Sequence, residues 1–376
     1  MSISQLCDKC GGDTSKFLNC SKCGLIKEKC QHDFVQKSTE RKIEVRRLFN
    51  NALKILGTTI YPDMIKGVKG TVNKEHCVEN LVKCILRAKY DINVNKDGTV
   101  RYDATEVPVT HFTPREVEVS VIKLKELGYE KDIKGMDLVD EDQVLEIKCQ
   151  DVILPCCPFI ETPSDKVLLN VALFIDELLE KLYGIPSFYN CKTRDDLVGH
   201  LIVCLAPHTS AGTVGRIIGF SKHQGLLAHP LMHCACRRDC DGDEIGYFLL
   251  MDGLLNFSKK FLPESRGGTM DAPIVLTSVI DPTGVDDMIF NMDTAWRYPL
   301  ELYNAALEYK QPWDVKIDQV KARLGTEGQY ENYGFTHDNG NFNAGVLISS
   351  YKTLPTMQDK LISQMDVADK LRAVDS

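Results

Sequence analysis

The sequence has 376 residues and predicts an α+β protein, in which strand-like and helix-like segments occupy separate stretches of the chain. Three observations predict this class. Residues 92–112 combine turn residues with the alternation typical of strands. Residues 164–182 have the apolar spacing of a buried helix, and residues 201–206 form an apolar run typical of a buried strand. The length allows two or three domains.

The composition is that of a globular protein. Hydrophobic residues make up 43% and charged residues 26% of the chain, with 26 glycines and 15 prolines, which excludes disordered, collagen-like and membrane proteins. The N-terminus has no apolar signal-peptide run, and no window approaches the roughly 18 apolar residues of a membrane helix. We therefore expect a cytoplasmic protein whose 15 cysteines are reduced thiols or metal ligands rather than disulfides.

The first segment, residues 1–35, contains two cysteine pairs and almost no apolar periodicity. Cys7-x-x-Cys10 and Cys20-x-x-Cys23 have the spacing of two knuckles whose four thiolates close a tetrahedral Zn²⁺ site. Such a closed set leaves no coordination position for a substrate, so the zinc would be structural. The pattern predicts a zinc ribbon, with Cys30 as a bystander or a substitute ligand.

A basic segment follows. Residues 37–90 hold eight lysines and four arginines against five acids, although the whole chain has a net charge of −8. Residues 39–57 have the pattern of a basic helix ended by Gly57, and residues 61–70 are a short stretch punctuated by glycine and rich in lysine. The positive charge of the segment favours contact with nucleic acid. The alternative interpretation is a basic helix face that is simply exposed to solvent.

The next elements are a hairpin, strands and helices. Residues 95–98 read Asn-Lys-Asp-Gly between two short strand-like runs, which predicts a hairpin of 92–94 with 99–102. Strand-like patterns also cover 107–112 and 137–153, and helical spacing covers 114–127 and 164–182. After the strand 201–206, a loop of small and hydroxyl residues follows, which alone is a weak signal of a ligand site.

An acidic cluster, Asp239-x-Asp241-x-Asp243, is the strongest signal of chemistry. In an extended chain these carboxylates would share one face about 6.6 Å apart, where they would repel each other unless a cation neutralised them. Hard carboxylate oxygens favour Mg²⁺ or a similar ion. Residues 245–261 read as an apolar helix, whose N-terminal end would favour negative charge.

Other interpretations of the cluster compete with a magnesium site. A calcium EF-hand loop starting at Asp239 fails, because Glu244 and Leu250 occupy the positions that need Gly and Glu. A solvated acidic turn and a second zinc site remain open, the latter formed by His229, His233, Cys236 and Cys240. Basic residues crowd the region, namely Arg216, Lys222, Arg237, Arg238, Lys259, Lys260 and Arg266. Acids beside such cations are typical of phosphoryl transfer.

Several long motifs resemble one family. They are His229-Pro230, Arg237–Glu244, Leu255–Ser258 and Arg266–Pro273, with Ala206–Gly212 upstream and Lys66–Gly70 near the start. These strings resemble the large catalytic subunit of the archaeal family D DNA polymerases, and the similarity covers nearly the whole chain.

The resemblance implies two double-psi β-barrels, the architecture shared with multisubunit RNA polymerases, with surrounding helices. It also implies that Asp241 and Asp243 hold catalytic Mg²⁺ and that Lys66 and Lys69 reach the site from the other barrel. The family usually has Asn where this chain has Asp239. Whether Asp239 is a third metal ligand or an outer group is left open. The resulting division is a ribbon at 1–35, a basic helix and first barrel at 36–160, a second barrel at 161–265 and a C-terminal part at 266–376.

The function expected from this resemblance is Mg²⁺-dependent nucleotidyl transfer from nucleoside triphosphates to a primer end on template DNA. The residues expected to bind nucleic acid or phosphate are Arg237, Arg238, His208, Arg216 and Arg266. The alternatives are a non-catalytic nucleic-acid-binding subunit and an RNA-making polymerase core.

Expected partners follow from the length of the family subunit, which has further modules on both sides of this region. This chain would be a split subunit, a trimmed chain or a reduced relative from a virus or a small genome. The expected partners are the small proofreading subunit, a separate polypeptide carrying the N-terminal modules, and a sliding clamp.

Overall fold

A computed structural model describes residues 6–7, 35–36, 44–60, 62–67, 79–95, 97–207, 209–257, 274–334, 341–348 and 356–370. The chain divides into two compact units. The first comprises residues 1–98, 177–186 and 258–270, and the second comprises 99–176, 187–257 and 271–376. A large mixed sheet together with helices confirms the predicted α+β class.

The first unit contains a short strand pair and two helices. Its elements are β1 (Leu6–Cys7), antiparallel to β2 (Val35–Gln36), α1 (Val45–Leu56) and α2 (Leu81–Lys89). Gly57 ends α1 in the left-handed conformation, with φ of 68°, as a glycine after a helix commonly does. The basic helix is therefore confirmed over its described residues. Cys10, Cys20, Cys23 and Cys30 lie outside the described residues, so the zinc ribbon stays a prediction.

The second unit contains most of the regular structure. Its strands are β3 (Tyr102–Pro108), β4 (His111–Phe112), β5 (Leu145–Glu146), β6 (Asp151–Pro155), β7 (Leu201–Leu205), β8 (Ala211–Ser221), β9 (Gly225–Ala228), β10 (Glu244–Leu249) and β11 (Val275–Thr277). Its helices are α3 (Val121–Glu126), α4 (Ser164–Leu178), α5 (Pro230–Ala235), α6 (Leu250–Asn256), α7 (Leu300–Leu307) and α8 (Met357–Lys370). A π-helical turn, Leu179–Tyr183, follows α4 and belongs to the first unit.

Six strands of the second unit form a closed ring. They are hydrogen-bonded in the order β8-β6-β9-β3-β10-β7, and β7 pairs with β8 again, which closes the ring. The pairs β3 with β9 and β6 with β8 are parallel, whereas β10 is antiparallel to both of its neighbours. Closure leaves none of these six strands as a free edge, so each strand is held from both sides.

The ring encloses the core of the second unit. All residues of β6 and β9 are buried, as are residues 202–205 of β7 and 245–249 of β10. Because continuous apolar runs are typical of strands covered on both faces, the predicted strand 201–206 was readable from sequence. The helix predicted over 164–182 is also confirmed by α4 and the turn that follows it.

The helix predicted over 245–261 is wrong in its first part. Glu244–Leu249 is strand β10, between β3 and β7, and among the residues described up to 257 the helix covers Leu250–Asn256. Ile245, Tyr247 and Phe248 are β-favouring residues that pack well on a pleated surface, and pairing on both sides outweighs the helical spacing. The acidic cluster thus precedes a strand, and the argument from a helix N-terminus fails.

Two further predictions are corrected. The hairpin of 92–94 with 99–102 does not form: the turn is present, with Gly98 N–H donating to Asn95 O at 3.0 Å, but residues 92–94 are not a strand. Residues of β3 pair instead with β9 and β10, which are distant in sequence. The helix predicted over 114–127 starts only at Val121, because Glu118 has a φ of 56° and Ser120 caps the helix.

The described residues bear on two further expectations, namely that the cysteines are reduced and that the chain has no membrane-spanning helix. Nine of the cysteines from Cys84 to Cys240 are described, and all nine are free thiols. No helix in the described part of the chain combines the length and apolar character needed to cross a membrane. The four-part division at 35, 160 and 265 stays a prediction.

Substitution of Gly219 in β8 tests how tightly the six-stranded ring is packed. A Cβ at this position would lie 2.6 Å from Val117 Cβ and 2.7 Å from Val117 O. We expect Gly219→Ala to lower the free energy of unfolding by about 1–3 kcal/mol, the usual effect of overpacking. Denaturant unfolding of the full chain measures it. Gly284→Ala is the control, because a methyl group added there would have no neighbour within 4 Å; equal stability of the two variants would contradict the packing.

Candidate metal centre

The acidic cluster lies in the loop between α5 and β10, residues 236–243. Arg237, Cys240 and Gly242 have positive φ values of 60°, 65° and 101°. Left-handed conformations are uncommon for residues other than glycine, and two of them in so short a loop indicate a tightly curled chain. The extended geometry expected for Asp-x-Asp-x-Asp is therefore not the one adopted.

Three carboxylates meet at this loop. Glu106 of β3, Asp241 and Asp243 each offer an oxygen, and these oxygens lie within 4.8 Å of one another. Glu106 is buried, Asp243 is partly buried and Asp241 is exposed. The group therefore opens to solvent on the aspartate side and is closed on the glutamate side.

Glu106 is bonded to the main chain of the loop. Its Oε1 accepts hydrogen bonds from Asp241 N–H at 3.1 Å and Asp243 N–H at 3.3 Å. The N–H of Glu106 donates to Asp243 O at 2.9 Å, which extends the β3–β10 ladder by one residue beyond the Glu244–Thr105 pair. Strand pairing thus places Glu106 directly beside both aspartates.

The electrostatics of the group favour a bound cation. Burial raises the pKa of Glu106, an effect opposed by the N–H groups of the loop and increased by the charge of Asp243. His233 of α5 places Nδ1 3.5 Å from Glu106 Oε2, but burial lowers the His233 pKa to about 4, so the imidazole is neutral near pH 7. Three adjacent acids without a buried positive partner repel one another, and a divalent ion would relieve that repulsion.

The donor set fits a hard cation. All three groups are carboxylates, and Glu106 Oε2 is buried with no hydrogen bond to any described residue. Buried polar atoms in folded proteins are normally satisfied, and the described group that this oxygen faces is His233 Nδ1, 3.5 Å away. Oxygen-only sites suit Mg²⁺ and Ca²⁺ rather than zinc.

Arg238 lies next to Asp243 at the exposed edge of the three carboxylates. Arg238 NH1 is 3.3 Å from Asp243 Oδ2, and its Nε donates to Arg237 O at 2.8 Å. Arg238 is 25% exposed, and Arg237 is exposed. The Arg238 guanidinium can therefore meet an anionic ligand beside Asp243.

The structure describes three other residues that the sequence argument predicted for the site, namely Asp239, Arg216 and Lys66. Asp239 is exposed and is not part of the three-carboxylate group. Arg216 donates two hydrogen bonds to the buried carboxylate of Asp151, at 2.8 and 2.7 Å, so its charge already has a partner. Lys66 belongs to the first unit, where its ammonium donates to Asp91 at 2.6 Å and Asn93 at 3.3 Å. Lys69, His208 and Arg266 lie outside the described residues, as do the ribbon thiolates.

The second zinc site drawn from sequence does not assemble. Within the described part of the chain, the three carboxylates are the one group of potential ligands that converges. His229 Nδ1 accepts from Leu231 N–H at 3.1 Å, and Cys236 Sγ donates to Cys204 O at 3.4 Å. Cys240 Sγ lies 3.8 Å from Pro230 O and 4.0 Å from Cys234 Sγ. The sequence spacing of these histidines and cysteines did not reveal these other contacts.

Glu106 is the site residue that the sequence argument missed. In β3, Ala104 and Glu106 are the buried positions of the alternating pattern. A glutamate at an inward position of a strand is unusual unless it has a partner, and that was the available signal. The signal was lost because the strand was predicted to begin at Val107, after the glutamate.

Comparison with known proteins places this chain in a family. The family described as "DNA polymerase II large subunit DP2, catalytic domain" matches residues 58–360. The DNA polymerase II large subunit of Archaeoglobus fulgidus is 49% identical over 376 residues, covering 98% of this chain and 32% of the relative. That of Methanococcus vannielii is 50% identical over 365 residues, covering 95% and 31%. That of Pyrococcus furiosus is 46% identical over 386 residues, covering 98% and 30%.

The chain spans about a third of the length of these relatives. The match includes β3, the loop 236–243 and β10, which together carry the three carboxylates. Both the family match, which covers most of the chain, and the identity of about half over nearly all of it support one assignment. The resemblance noted from sequence is confirmed: the chain belongs to the family of the DNA polymerase II large subunit, the archaeal family D polymerases, and matches its catalytic domain.

Proposed function

We propose that this chain catalyses template-directed, Mg²⁺-dependent transfer of nucleotides to a primer 3′ end in DNA replication. The observation that carries the proposal is the convergence of Asp241 and Asp243 with Glu106 in one oxygen-only group. Membership of a family named for a DNA polymerase supports the same reaction. Its substrates would be primer-template DNA and nucleoside triphosphates.

Asp241 and Asp243 would hold Mg²⁺ through their carboxylates. When bound, the metal would make the primer 3′ hydroxyl easier to deprotonate and would stabilise the leaving pyrophosphate. The exposure of Asp241 and the partial exposure of Asp243 leave the open side of the group accessible to phosphates and water. Glu106 lies on the closed side, away from substrate.

Arg237 and Arg238 would bind phosphate at the rim. Arg238 already neutralises Asp243 in part, at 3.3 Å, and it could contact both this carboxylate and a substrate phosphate. Lys66 and Lys69 would supply further positive charge, and Lys66 is paired with Asp91, so it would exchange that partner for phosphate. Phosphate contacts for His208, Arg216 and Arg266 remain part of the proposal.

The barrel architecture and the zinc ribbon are proposed with this function. The closed ring of six strands, with parallel and antiparallel pairs, supports a double-psi β-barrel in the second unit. Cys7, Cys10, Cys20 and Cys23 would hold a structural Zn²⁺.

Partners are proposed from the relatives. The names of the relatives describe a large subunit, which implies at least one smaller subunit in those enzymes. For this chain we propose the small proofreading subunit, a polypeptide carrying the N-terminal modules, and a sliding clamp. The complex would act in the cytoplasm.

Substitution of the aspartates tests the proposed reaction. Asp241→Asn and Asp243→Asn should each reduce primer extension by on the order of 100-fold or more, because a metal ligand contributes several kcal/mol of charge stabilisation. Extension with Mg²⁺ by the chain and its co-purifying polypeptides measures this. Asp287→Asn, an exposed aspartate of the second unit, is the control. Wild-type extension by either site variant would contradict the assignment.

Asp239 gives a second, graded test. Its carboxylate is exposed and outside the three-carboxylate group, so Asp239→Asn should reduce extension by less than about tenfold. The same assay, titrated with Mg²⁺, compares it with Asp241→Asn. Equal loss in both variants would make Asp239 a metal ligand and would contradict the weaker role expected here.

Metal analysis tests the ribbon. The purified chain should contain zinc in equimolar amount, and Cys10→Ser or Cys23→Ser should remove most of it, since structural zinc needs all four ligands. Cys191→Ser is the control, because this buried thiol contacts Tyr189 O and belongs to the second unit. Zinc retained in both ribbon variants would contradict the site.

A further inference from the structure

Glu106 is a buried carboxyl group whose role does not follow from the reaction proposed above. Its side chain is almost fully inaccessible, with 1% exposed, and it lies on the side of the carboxylate group that faces the protein interior. Its oxygens have different surroundings: Oε1 meets the main chain of the loop, whereas Oε2 faces His233 Nδ1 at 3.5 Å.

The loop that carries the aspartates has few other anchors. At its start, Arg237 N–H donates to Cys234 O at 2.9 Å and Arg238 N–H to His233 O at 3.0 Å. From Asp241 to Asp243, the main-chain hydrogen bonds given by the described residues all run to Glu106. The Glu106 side chain therefore accepts the N–H groups of both aspartates, while the main-chain N–H of Glu106 holds Asp243 O in the β3–β10 ladder.

The hydrogen bonds also limit what Glu106 can do for a metal. A carboxylate oxygen has two lone-pair directions, and Oε1 uses its pair for the two N–H groups. Oε2 is buried beside His233 of α5, whereas Asp241 is exposed to solvent. Glu106 is thus suited to hold the loop rather than to share the ion.

We propose that Glu106 is a positioning residue for polymerisation: it accepts the N–H groups of Asp241 and Asp243 and so aims both carboxylates at one point. This inference rests on the proposed function. Its physical basis is preorganisation, because donors and ligands fixed before the reaction do not have to be ordered during it. A side chain in this role needs reach and an acceptor oxygen, but it does not need a negative charge.

Two conservative variants separate the effect of side-chain length at position 106 from the effect of its charge. Glu106→Gln keeps the length and an acceptor oxygen and removes the charge. Its amide nitrogen can also donate to the neutral His233 ring, 3.5 Å away in the present geometry. Glu106→Asp keeps the charge and withdraws the oxygens by one methylene, which breaks hydrogen bonds of 3.1 and 3.3 Å.

Primer extension is measured with the 376-residue chain and its co-purifying polypeptides, at a series of Mg²⁺ concentrations and below the unfolding temperature. We expect Glu106→Gln to keep kcat and the half-saturating Mg²⁺ concentration within about threefold of wild type. We expect Glu106→Asp to lose about tenfold or more in kcat, because two N–H groups lose their acceptor.

Glu116 supplies the matched control. It is a second buried glutamate of the same unit, 8% exposed, and it accepts hydrogen bonds from Thr113 N–H and Phe342 N–H away from the carboxylate group. Glu116→Gln and Glu116→Asp should lower the unfolding temperature without changing kcat. If Glu116→Asp loses as much kcat as Glu106→Asp, the loss is general destabilisation and the proposal is overturned.

Two other results would also overturn it. If Glu106→Asp is more active than Glu106→Gln, and Gln raises the half-saturating Mg²⁺ more than about tenfold, Glu106 is a metal ligand. If both variants match wild type, the loop needs no such support. Failure of the proposed function is distinguishable, because then Asp241→Asn would extend primers as well as wild type.

Discussion

Repulsion among three adjacent carboxylates is the constraint on which the second unit depends. Glu106, Asp241 and Asp243 hold oxygens within 4.8 Å of one another, and one of the three is buried. Such a group would spread apart on a flexible chain. Here the ladder between β3 and β10 fixes Glu106 opposite Asp243, and both strands lie inside a closed ring with partners on either side. The fold therefore resists a repulsion that a bound divalent cation would convert into attraction.

Sequence reasoning found the parts of the molecule that local pattern determines. Helix α1 ends at Gly57 because of its left-handed preference, and strand β7 was visible as a bounded apolar run. Asp241 and Asp243 were singled out because closely spaced carboxylates favour a cation, and the structure brings them together in a curled loop rather than in the extended chain assumed from sequence. The family resemblance rested on strings long enough to be specific, and the match over residues 58–360 confirms it.

The remaining features depend on contacts between distant residues. Residues 245–249 have helical apolar spacing, yet they form the strand between β3 and β7, because both neighbours offer hydrogen bonds that a local pattern does not reveal. Glu106 is 135 residues from Asp241 along the chain, so no spacing rule connects them. Asp239, close in sequence, lies outside the group because the curled loop breaks the alternation that would have aligned it.

The curl of the loop affects the spacing of the aspartate pair. On one face of a regular strand, side chains leave the backbone about 6.6 Å apart, whereas the carboxylate oxygens of Asp241, Asp243 and Glu106 lie within 4.8 Å of one another. The positive φ values of Cys240 and Gly242 bring the pair closer, and at Cys240 this conformation is unfavourable by about 1–2 kcal/mol. Hydrogen bonds from Asp241 and Asp243 to a buried acceptor can offset that strain, since each is worth roughly 1 kcal/mol or more when the acceptor is charged. The strained loop and the buried glutamate therefore act together: the hydrogen bonds to Glu106 stabilise the left-handed turn, and the carboxylate oxygens of both aspartates lie within 4.8 Å of each other.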